Sequence, residues 1–202
     1  MYKFNEESTA FSYSPEISGL YSPENTIEIR TYTDFQAEFD AVYSFIKRGL
    51  DLTISLFLLL AFSPLILISA LCIKLSSKGP AIFTQRRMTK DGQIFKMYKL
   101  RTMSLSLADK NTPIWTQAND RRITKFGKLL RKTRIDELPQ LVNVIKGEMS
   151  LIGPRPERPE LTNLLESHFP QYKKRLEVKA GLSGLAQVTS GYAHDILSYQ
   201  NK

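Results

Sequence analysis

The sequence contains a single cysteine, Cys72, and therefore cannot form an intrachain disulfide. It also has no Walker loop, no dinucleotide-binding glycine fingerprint and no Cys/His spacing typical of a zinc site. The N-terminus is polar and acidic and lacks the apolar stretch of a cleavable signal peptide, so we expect none. These absences are compatible with a reducing compartment, and the 202 residues suit one compact domain with an appendage.

Charge is distributed unevenly along the chain. Residues 1–45 carry eight acidic and two basic side chains, so the rest holds 26 of the 28 bases but only 12 of the 20 acids, a net charge of +14. This balance favours a polyanion, an anionic membrane surface or a phosphorylated substrate as partner. A nucleic-acid-binding protein is one interpretation, and it predicts steeply salt-dependent binding. We expect no nucleic-acid partner, because that interpretation does not explain the long apolar run described below.

The first part of the chain has little capacity to form a core. Residues 1–33 are rich in Ser, Thr, Glu and Pro, which predicts a mobile extension. From Asp34 onward apolar residues recur at helical spacing and predict an amphipathic lead-in. The apolar positions of this lead-in are Phe35, Phe39, Val42, Tyr43 and Ile46.

Residues 52–73 form a run of 22 residues without a charge. A bilayer core of about 30 Å requires roughly 20 such residues in a helix, so the run is long enough to span. Ser63-Pro64 lies in its middle, and proline removes a backbone donor, which predicts a kink or break there. The Ser63 hydroxyl can bond a freed carbonyl, which makes such a break tolerable in lipid.

Both flanks of the apolar run are basic. Lys47 and Arg48 precede it, and positive charge favours the cytoplasmic side of a membrane. The bases that follow it are Lys74, Lys78, Arg86, Arg87 and Lys90. A helix broken at Ser63-Pro64 that enters and leaves on the same face satisfies both flanks. A kinked transmembrane helix and a buried core helix are the alternatives.

Beyond residue 78 the chain has the pattern of a mixed α/β body. Residues 81–85 and 94–98 resemble strands, and the Asp91-Gly92 pair between them is typical of a hairpin turn. Helices are predicted over 121–132, 139–146 and 160–176. A further segment, Gly153-Pro154-Arg155-Pro156, predicts a rigid turn.

Two adjacent acids, Asp136 and Glu137, follow three bases and precede a predicted helix. Acids at a helix N-terminus commonly serve only as caps that interact favourably with the helix dipole. Their neighbours support a chemical role, because a carboxylate that attacks a phosphoryl group needs cations nearby. The three bases are Arg131, Lys132 and Arg134.

Other cations could hold phosphate groups. Lys99 and Arg101 lie at the end of the predicted hairpin, where a solvated strand end is the simpler explanation. Arg155 lies between two prolines, and it either belongs to a rigid turn or forms a preorganised phosphate fork.

Taken together, these residues resemble the bacterial sugar transferase family, the monotopic polyprenyl-phosphate phosphoglycosyltransferases. The resemblance covers about residues 46–195, and its motifs occur in order along the chain. They are Lys47-Arg48-x-x-Asp51, Ser63-Pro64, Lys99-x-Arg101-Thr102-Met103, Asp136-Glu137-Leu138-Pro139-Gln140, Lys146-Gly147-Glu148-Met149-Ser150, Gly153-Pro154-Arg155-Pro156-Glu157 and Gly184-Leu185-Ala186-Gln187-Val188.

The resemblance implies a mostly helical α/β membrane-associated fold. Residues 1–45 would be an acidic extension with the amphipathic lead-in, and 46–77 a re-entrant helix-break-helix anchor broken at Ser63-Pro64. Residues 78–202 would form a small cytoplasmic catalytic body with a short β-hairpin and amphipathic helices. Family members usually continue with a further apolar and helical segment, so this body is expected to be short at its C-terminus.

The resemblance also implies a two-step reaction. An aspartate, Asp136 here, attacks the β-phosphate of a UDP-sugar and releases UMP, and polyprenyl phosphate then takes the phosphosugar. Glu137 would be the second catalytic acid, and magnesium the cofactor, with Asp136 as its ligand. The substrate-binding residues implied are Lys99, Arg101, Arg131, Arg134, Arg155 and Gln187.

The expected location is the cytoplasmic face of the bacterial inner membrane, and an apolar anchor of this kind can support a homodimer. An inactive membrane-anchored scaffold with the same fold is the alternative function.

Overall fold

A computed structural model describes residues 23–104 and 120–189, with side chains from residue 40 onward. The chain divides into two compact units, residues 1–47 and 48–202, and the site described below belongs to the second. Residues 1–22 of the predicted mobile extension lie outside the described residues. Helix α1 begins at Pro23, earlier than the lead-in predicted from Asp34, and proline suits the first turn of a helix.

Helix α1 extends from Pro23 to Ser76 and contains the apolar run. It continues through Pro64 without interruption, so the predicted break is not seen. The Ser63 hydroxyl donates to the carbonyl of Leu60 at 2.8 Å, as predicted, and thereby satisfies the group that Pro64 cannot bond. Residues Asp40–Ser76 are long and apolar enough to cross a membrane, with 11% of the most apolar window buried.

The predicted β-hairpin is confirmed. Strands β1 (Ile82–Met88) and β2 (Ile94–Leu100) pair in antiparallel register, from Ile82 opposite Leu100 to Met88 opposite Ile94. At the turn, Asp91 and Gly92 have φ angles of 56° and 72°. Aspartate and glycine tolerate this left-handed conformation, which explains why the Asp-Gly pair identified the turn.

The helices that follow are shorter than predicted. Helix α2 covers Lys125–Thr133, and α3 covers Leu141–Lys146 after a 3-10 helix at Ile135–Gln140. Helix α4 (Pro159–His168) ends before Pro170, and a second 3-10 helix continues over Pro170–Glu177. The predicted helix over 160–176 is therefore divided, because Pro170 lacks the N–H that would continue α4.

Two short strands and a last helix complete the described part. Strands β3 (Ser150–Ile152) and β4 (Gly181–Ser183) pair in parallel, and α5 covers Leu185–Thr189. Gly153 and Gly181 let the two segments approach closely, since a Cβ on Gly181 would lie 2.1 Å from the nitrogen of Gly153.

Strand β2 lies between two apolar clusters. Its Phe95 and Met97 pack with Val144 and Met149, whereas Leu100 packs with a second group of residues. The second cluster contains Ile73, Leu100 and Leu130, with Ile66, Ala70, Ala81, Phe126 and Ile135 packed against it. The C-terminal half of the apolar run thus forms part of the core that supports the hairpin.

Candidate active site

The 3-10 helix Ile135–Gln140 carries both candidate catalytic acids. Helix α2 ends at Arg134, whose φ angle of 60° turns the chain sharply into the 3-10 helix. The carbonyl of Arg134 accepts the N–H of Glu137 at 3.1 Å, which closes this first turn. The turn packs against β2, and Asp136 is only 1% exposed.

Lys99 of β2 lies between the two acids. Its Nζ is 2.8 Å from Oδ2 of Asp136 and 3.3 Å from Oε1 of Glu137. Both oxygens of Asp136 are buried and neither makes a hydrogen bond of regular geometry to a described residue, so Oδ2 is held by the ion pair and Oδ1 has no partner among these residues. The lysine therefore fixes one side of the aspartate and leaves a carboxylate oxygen for a ligand or a reaction.

Glu137 is surrounded by positive charge. Besides Lys99, Arg155 Nη2 lies 3.4 Å and Arg134 Nη1 3.8 Å from its Oε1. The glutamate side chain is 10% exposed, so this carboxylate joins cations from three different segments in a partly dehydrated place. We name Lys99, Arg134, Asp136, Glu137 and Arg155 the charged cluster.

The pKa values of the two neighbouring carboxyl groups are shifted in opposite directions. Burial raises the pKa of Asp136 above its usual value, and although Lys99 opposes this rise, the charge of Glu137 adds to it. Burial alone would also raise the pKa of Glu137, but Lys99, Arg155 and Arg134 together hold it below its usual value. Such a divergence is typical of paired carboxyls with different tasks.

Arg155 is positioned by the segment that contains it. The carbonyl of Glu157 accepts the N–H of Met88 at 2.9 Å, and the Glu157 carboxylate pairs with Arg87 at 3.4 Å. Arg175 donates to the carbonyl of Arg155 itself. The rigid turn predicted at Gly153-Pro154-Arg155-Pro156 is thus attached to the end of β1, and its arginine extends towards Glu137.

Arg101 makes a different set of contacts from those expected of a substrate-binding residue. Its guanidinium donates to the carbonyls of Ser77 and Lys78, both at 2.8 Å, and the residue is 5% exposed. It also approaches the carbonyl of Ile73 at 3.4 Å. Arg101 thus binds one carbonyl in the last turn of α1 and two in the residues that follow it, and this buried cation caps the end of the helix and joins it to β2.

Arg131 and Gln187 are not ion-paired with the charged cluster in the described part of the chain. Arg131 lies in the last turn of α2 and donates through Nε to the hydroxyl of Thr102 at 2.9 Å. Its positive charge opposes the rise that burial causes in the pKa of Asp136. The Gln187 side chain donates to the carbonyl of Leu182 at 3.1 Å. This contact stabilises the start of α5 and gives Gln187 no visible link to Asp136.

Three polar residues that hold the site together, of which Asp51 and Asn143 are buried, were not assigned a role in the site from the sequence. Arg48 donates to the carbonyls of Val144 and Ile145 at the end of α3, at 2.6 and 2.7 Å. Asp51 accepts the N–H of Leu151 at 3.1 Å. Lys47-Arg48-x-x-Asp51 was recognised as a motif, and its helical spacing before an apolar run could have indicated that both side chains face one body.

Asn143 is the third of these residues, and it is completely buried. Its Oδ1 accepts the N–H of Tyr98 at 3.1 Å, and its Nδ2 donates to the carbonyl of Lys96 at 2.8 Å. It thereby attaches α3 to β2 and fixes the distance between Lys99 and the 3-10 helix. An amide among Leu141, Val142 and Val144 on an otherwise apolar helix was the available signal.

The site fits a divalent cation only if the substrate also supplies ligands. Asp136 Oδ1 offers one buried oxygen without a hydrogen bond, which suits a hard cation. No group of three His, Cys, Asp or Glu residues that could hold a metal occurs among the described side chains, those of residues 40–104 and 120–189. Magnesium often binds through one or two carboxylates together with substrate phosphates, and this donor set matches that mode.

A buried carboxylate with an available oxygen, beside lysine and arginine, has the chemistry to bind a phosphorylated ligand. Comparison with known proteins identifies the family to which the chain belongs. Residues 42–202 match the family model described as bacterial sugar transferase. The chain belongs to this family.

Several curated relatives share substantial identity with the chain. It is 46% identical over 154 residues to a UDP-N-acetylgalactosamine-undecaprenyl-phosphate N-acetylgalactosaminephosphotransferase of Aeromonas hydrophila, covering 76% of this chain and 36% of that protein. It is 44% identical over 142 residues to a UDP-glucose:undecaprenyl-phosphate glucose-1-phosphate transferase of Caulobacter vibrioides, covering 70% and 53%. An exopolysaccharide production protein of Rhizobium leguminosarum is 42% identical over 146 residues, covering 71% and 73%.

Proposed function

We propose that the protein transfers a sugar 1-phosphate from a UDP-sugar to polyprenyl phosphate, of which undecaprenyl phosphate is the example in the relatives' names. The products would be polyprenyl diphosphate sugar and UMP. The observation that carries the proposal is the buried Asp136, which is paired with Lys99 and retains one carboxylate oxygen without a hydrogen bond.

The reaction would proceed in two displacements at one phosphorus atom. A carboxylate oxygen of Asp136 forms a bond to the β-phosphorus, the bond from that phosphorus to the bridging oxygen breaks, and UMP leaves with this oxygen. A phosphate oxygen of the polyprenyl phosphate then attacks the same phosphorus and releases the Asp136 carboxylate. Two displacements of this kind replace one difficult transfer by two easier ones.

The charged cluster supports this chemistry through position and charge. Lys99 orients Asp136 and reduces the repulsion between its carboxylate and an incoming phosphate. Glu137 stays ionised and holds Lys99, Arg134 and Arg155 close together, so that these cations need not reorganise during the reaction. Magnesium, when bound beside Asp136, would supply further positive charge for the diphosphate.

UMP release tests this proposal directly. Purified protein in lipid discs, with magnesium and a panel of UDP-sugars, should release UMP, and addition of polyprenyl phosphate should sustain turnover. Without the lipid acceptor, release should stop near one UMP per active protein, with a matching mass increase on Asp136. The sugar that supports release would identify the donor, since the relatives' names include both N-acetylgalactosamine and glucose.

Asp136→Asn should reduce UMP release by about 10³-fold or more, as expected for loss of a nucleophile. Asp91→Asn is the matched control, because this aspartate lies in the hairpin turn, where asparagine is equally tolerated. Undiminished release in Asp136→Asn would refute the covalent step. Membrane binding without UMP release for every sugar in the panel would favour the inactive scaffold.

We also propose that the apolar run enters and leaves the membrane on one face, the cytoplasmic face of the bacterial inner membrane. Both ends of the run contact the same folded body: Arg48 and Asp51 bond to α3 and β3, and Arg101 caps the other end. One body cannot lie on both sides of a bilayer, so both ends of the run should lie on the same side. Length alone would allow a full span, since the run is about 33 Å long as a straight helix. The basic flanks support the cytoplasmic side.

Cysteine labelling tests this topology. In a Cys72→Ser background, Gly49→Cys and Lys78→Cys place single thiols at the two flanks, and a Cβ on Gly49 meets open space. Both thiols should react in inverted vesicles, whereas neither should react with a membrane-impermeant reagent in intact cells. Labelling of either flank from outside would refute the same-face topology.

A further inference from the structure

We propose that Thr102 is a positioning residue, whose hydroxyl holds Arg131 as a two-pronged donor for a diphosphate beside Asp136. The inference deepens the proposed function, because it names how that site would recognise the phosphates of its donor substrate. Its basis is a set of contacts at the junction of β2 and α2.

The backbone of Thr102 is held in place from both sides. Its carbonyl accepts the N–H of Thr124 at 3.0 Å, and Arg101, which precedes it, caps α1. Gly127 of α2 lies so close that a Cβ there would be 2.1 Å from the Thr102 carbonyl oxygen. The residue is 5% exposed, so its hydroxyl has little freedom to move.

This hydroxyl accepts a hydrogen bond from Nε of Arg131 at 2.9 Å. The two terminal amino groups of Arg131 make no hydrogen bond to a described residue, so the outer edge of the guanidinium is left for a ligand. A guanidinium with one nitrogen anchored and two amino groups available has the geometry for bidentate phosphate binding.

The position of Arg131 fits a ligand at the reacting aspartate. Arg131 lies in the last turn of α2, and Thr102 holds its Nε directly after β2, the strand whose Lys99 contacts Asp136. The 3-10 helix that contains Asp136 begins directly after α2, which carries Arg131. A diphosphate attacked by Asp136 would therefore lie within the field of this guanidinium.

The geometry also connects the membrane segment to the phosphate site. Two consecutive residues serve the two elements: Arg101 holds the C-terminal end of α1, and Thr102 holds Arg131. The position of the Arg131 guanidinium is thus fixed relative to the apolar run. A donor diphosphate would be presented at a constant distance from a lipid phosphate at the membrane surface.

Removal of the hydroxyl provides the test. Thr102→Val keeps the shape but removes the acceptor, and it should raise the KM for the UDP-sugar about tenfold, the usual effect of one hydrogen bond to a charged group. Thr102→Ser restores the hydroxyl and should recover most of the loss. Thr133→Val is the matched control on α2, since that hydroxyl bonds the Leu129 and Leu130 carbonyls of its own helix.

A double substitution separates positioning from a general structural role. Lysine has no Nε that Thr102 could orient, so Thr102→Val should change the KM less than twofold in an Arg131→Lys background. An unchanged tenfold loss in that background would overturn the proposal, as would an unaltered KM in Thr102→Val alone.

A measurement without substrate distinguishes failure of this inference from failure of the proposed function. In ligand-free protein in micelles, the Nε–H nuclear magnetic resonance signal of Arg131 should be protected from exchange in the wild type and Thr102→Ser, but not in Thr102→Val. Pyrophosphate should bind the first two proteins about tenfold more tightly. If these differences appear without UMP release, the transfer reaction is wrong and the positioning stands. Equal protection in all three proteins would refute the positioning.

Discussion

The apolar run of α1 and the charged cluster show opposite burial patterns. Phe57 and Leu67 in the run are each 69% exposed, whereas Asp136 in the cluster is 1% exposed. In water both patterns would be unfavourable, since apolar surface prefers burial and a buried charge requires compensation. The comparison indicates that the two regions suit different surroundings: the exposed apolar run suits lipid, and the buried carboxylates are compensated by the neighbouring cations.

Lysine substitutions in the run should have the largest effect. Leu60→Lys with Leu67→Lys places two charges on exposed positions of α1, 66% and 69% exposed. Each should cost about 2–3 kcal/mol of membrane insertion, whereas exposed sites in water usually tolerate lysine within about 0.5 kcal/mol. The fraction of protein that stays in membranes after carbonate extraction measures the effect.

The matched control replaces exposed apolar residues of the body. Ile94→Lys with Leu185→Lys changes positions that are 48% and 78% exposed, on β2 and α5. This variant should remain in the membrane fraction as the wild type does. If both double variants remained in the membrane fraction to the same extent, the run would not differ from the body in its need for lipid.

Within the charged cluster, neutral replacements of the two acids should change stability in opposite directions. At neutral pH without magnesium, Asp136→Asn should raise the free energy of unfolding by about 1 kcal/mol, because it removes a poorly solvated charge. Glu137→Gln should lower it by about 1–2 kcal/mol, because it leaves Lys99 and Arg155 without this carboxylate. Denaturant unfolding in micelles measures both.

The pH dependence of these differences follows from the signs of the shifts. The raised pKa of Asp136 means that protonated Asp136 favours the fold and that this benefit disappears as the pH rises, so the advantage of Asp136→Asn should widen above pH ~4. The lowered pKa of Glu137 means that its benefit is present above pH ~4 and is lost below it. Glu160→Gln, on an exposed side chain, should show neither trend. Parallel curves for Asp136→Asn and Glu137→Gln would contradict the divergence.

The smallest predicted effect concerns the centre of the run. Ser63→Ala should lower stability by about 0.5–1 kcal/mol, because it removes the hydroxyl that donates to the Leu60 carbonyl, which Pro64 cannot bond. In a Pro64→Leu background the new backbone N–H can bond this carbonyl, so Ser63→Ala should then have no effect. Thr53→Val, which removes a hydroxyl bonded to the Gly49 carbonyl, is the control on the same helix. An equal loss in both backgrounds would show that Ser63 does not compensate for the proline.

Local sequence patterns predicted those elements that depend mainly on neighbouring residues. Alternating residues around Asp91-Gly92 identified the hairpin, although both strands extend two or three residues beyond the predicted bounds. The helix predicted over 160–176 was too long, because Pro170 lacks the N–H that would continue α4. The interruption predicted at Pro64 is not seen, and Ser63 gives a physical reason for a continuous helix.

The candidate site was predictable in its residue types but not in all its partners. Cations beside the adjacent acids indicated phosphate chemistry, and the structure brings Lys99, Arg134 and Arg155 to Glu137. Arg101 and Lys99 are equally basic and two positions apart, yet one caps α1 and the other contacts Asp136. Positions two apart lie on the same face of a strand, so local periodicity does not separate these two residues, and their contacts depend on which neighbouring elements pack against each.

The sequence by itself determined the length of the apolar run, its basic flanks, the hairpin turn and the acids that could carry chemistry. Composition and short-range periodicity encode these properties, because they depend on neighbouring residues. Only the tertiary structure decided that Lys99 joins acids 37 and 38 positions away, that both ends of the run contact one body, and that Thr102 restrains Arg131. Such contacts arise when distant segments pack together, and no local pattern specifies which side chains then meet.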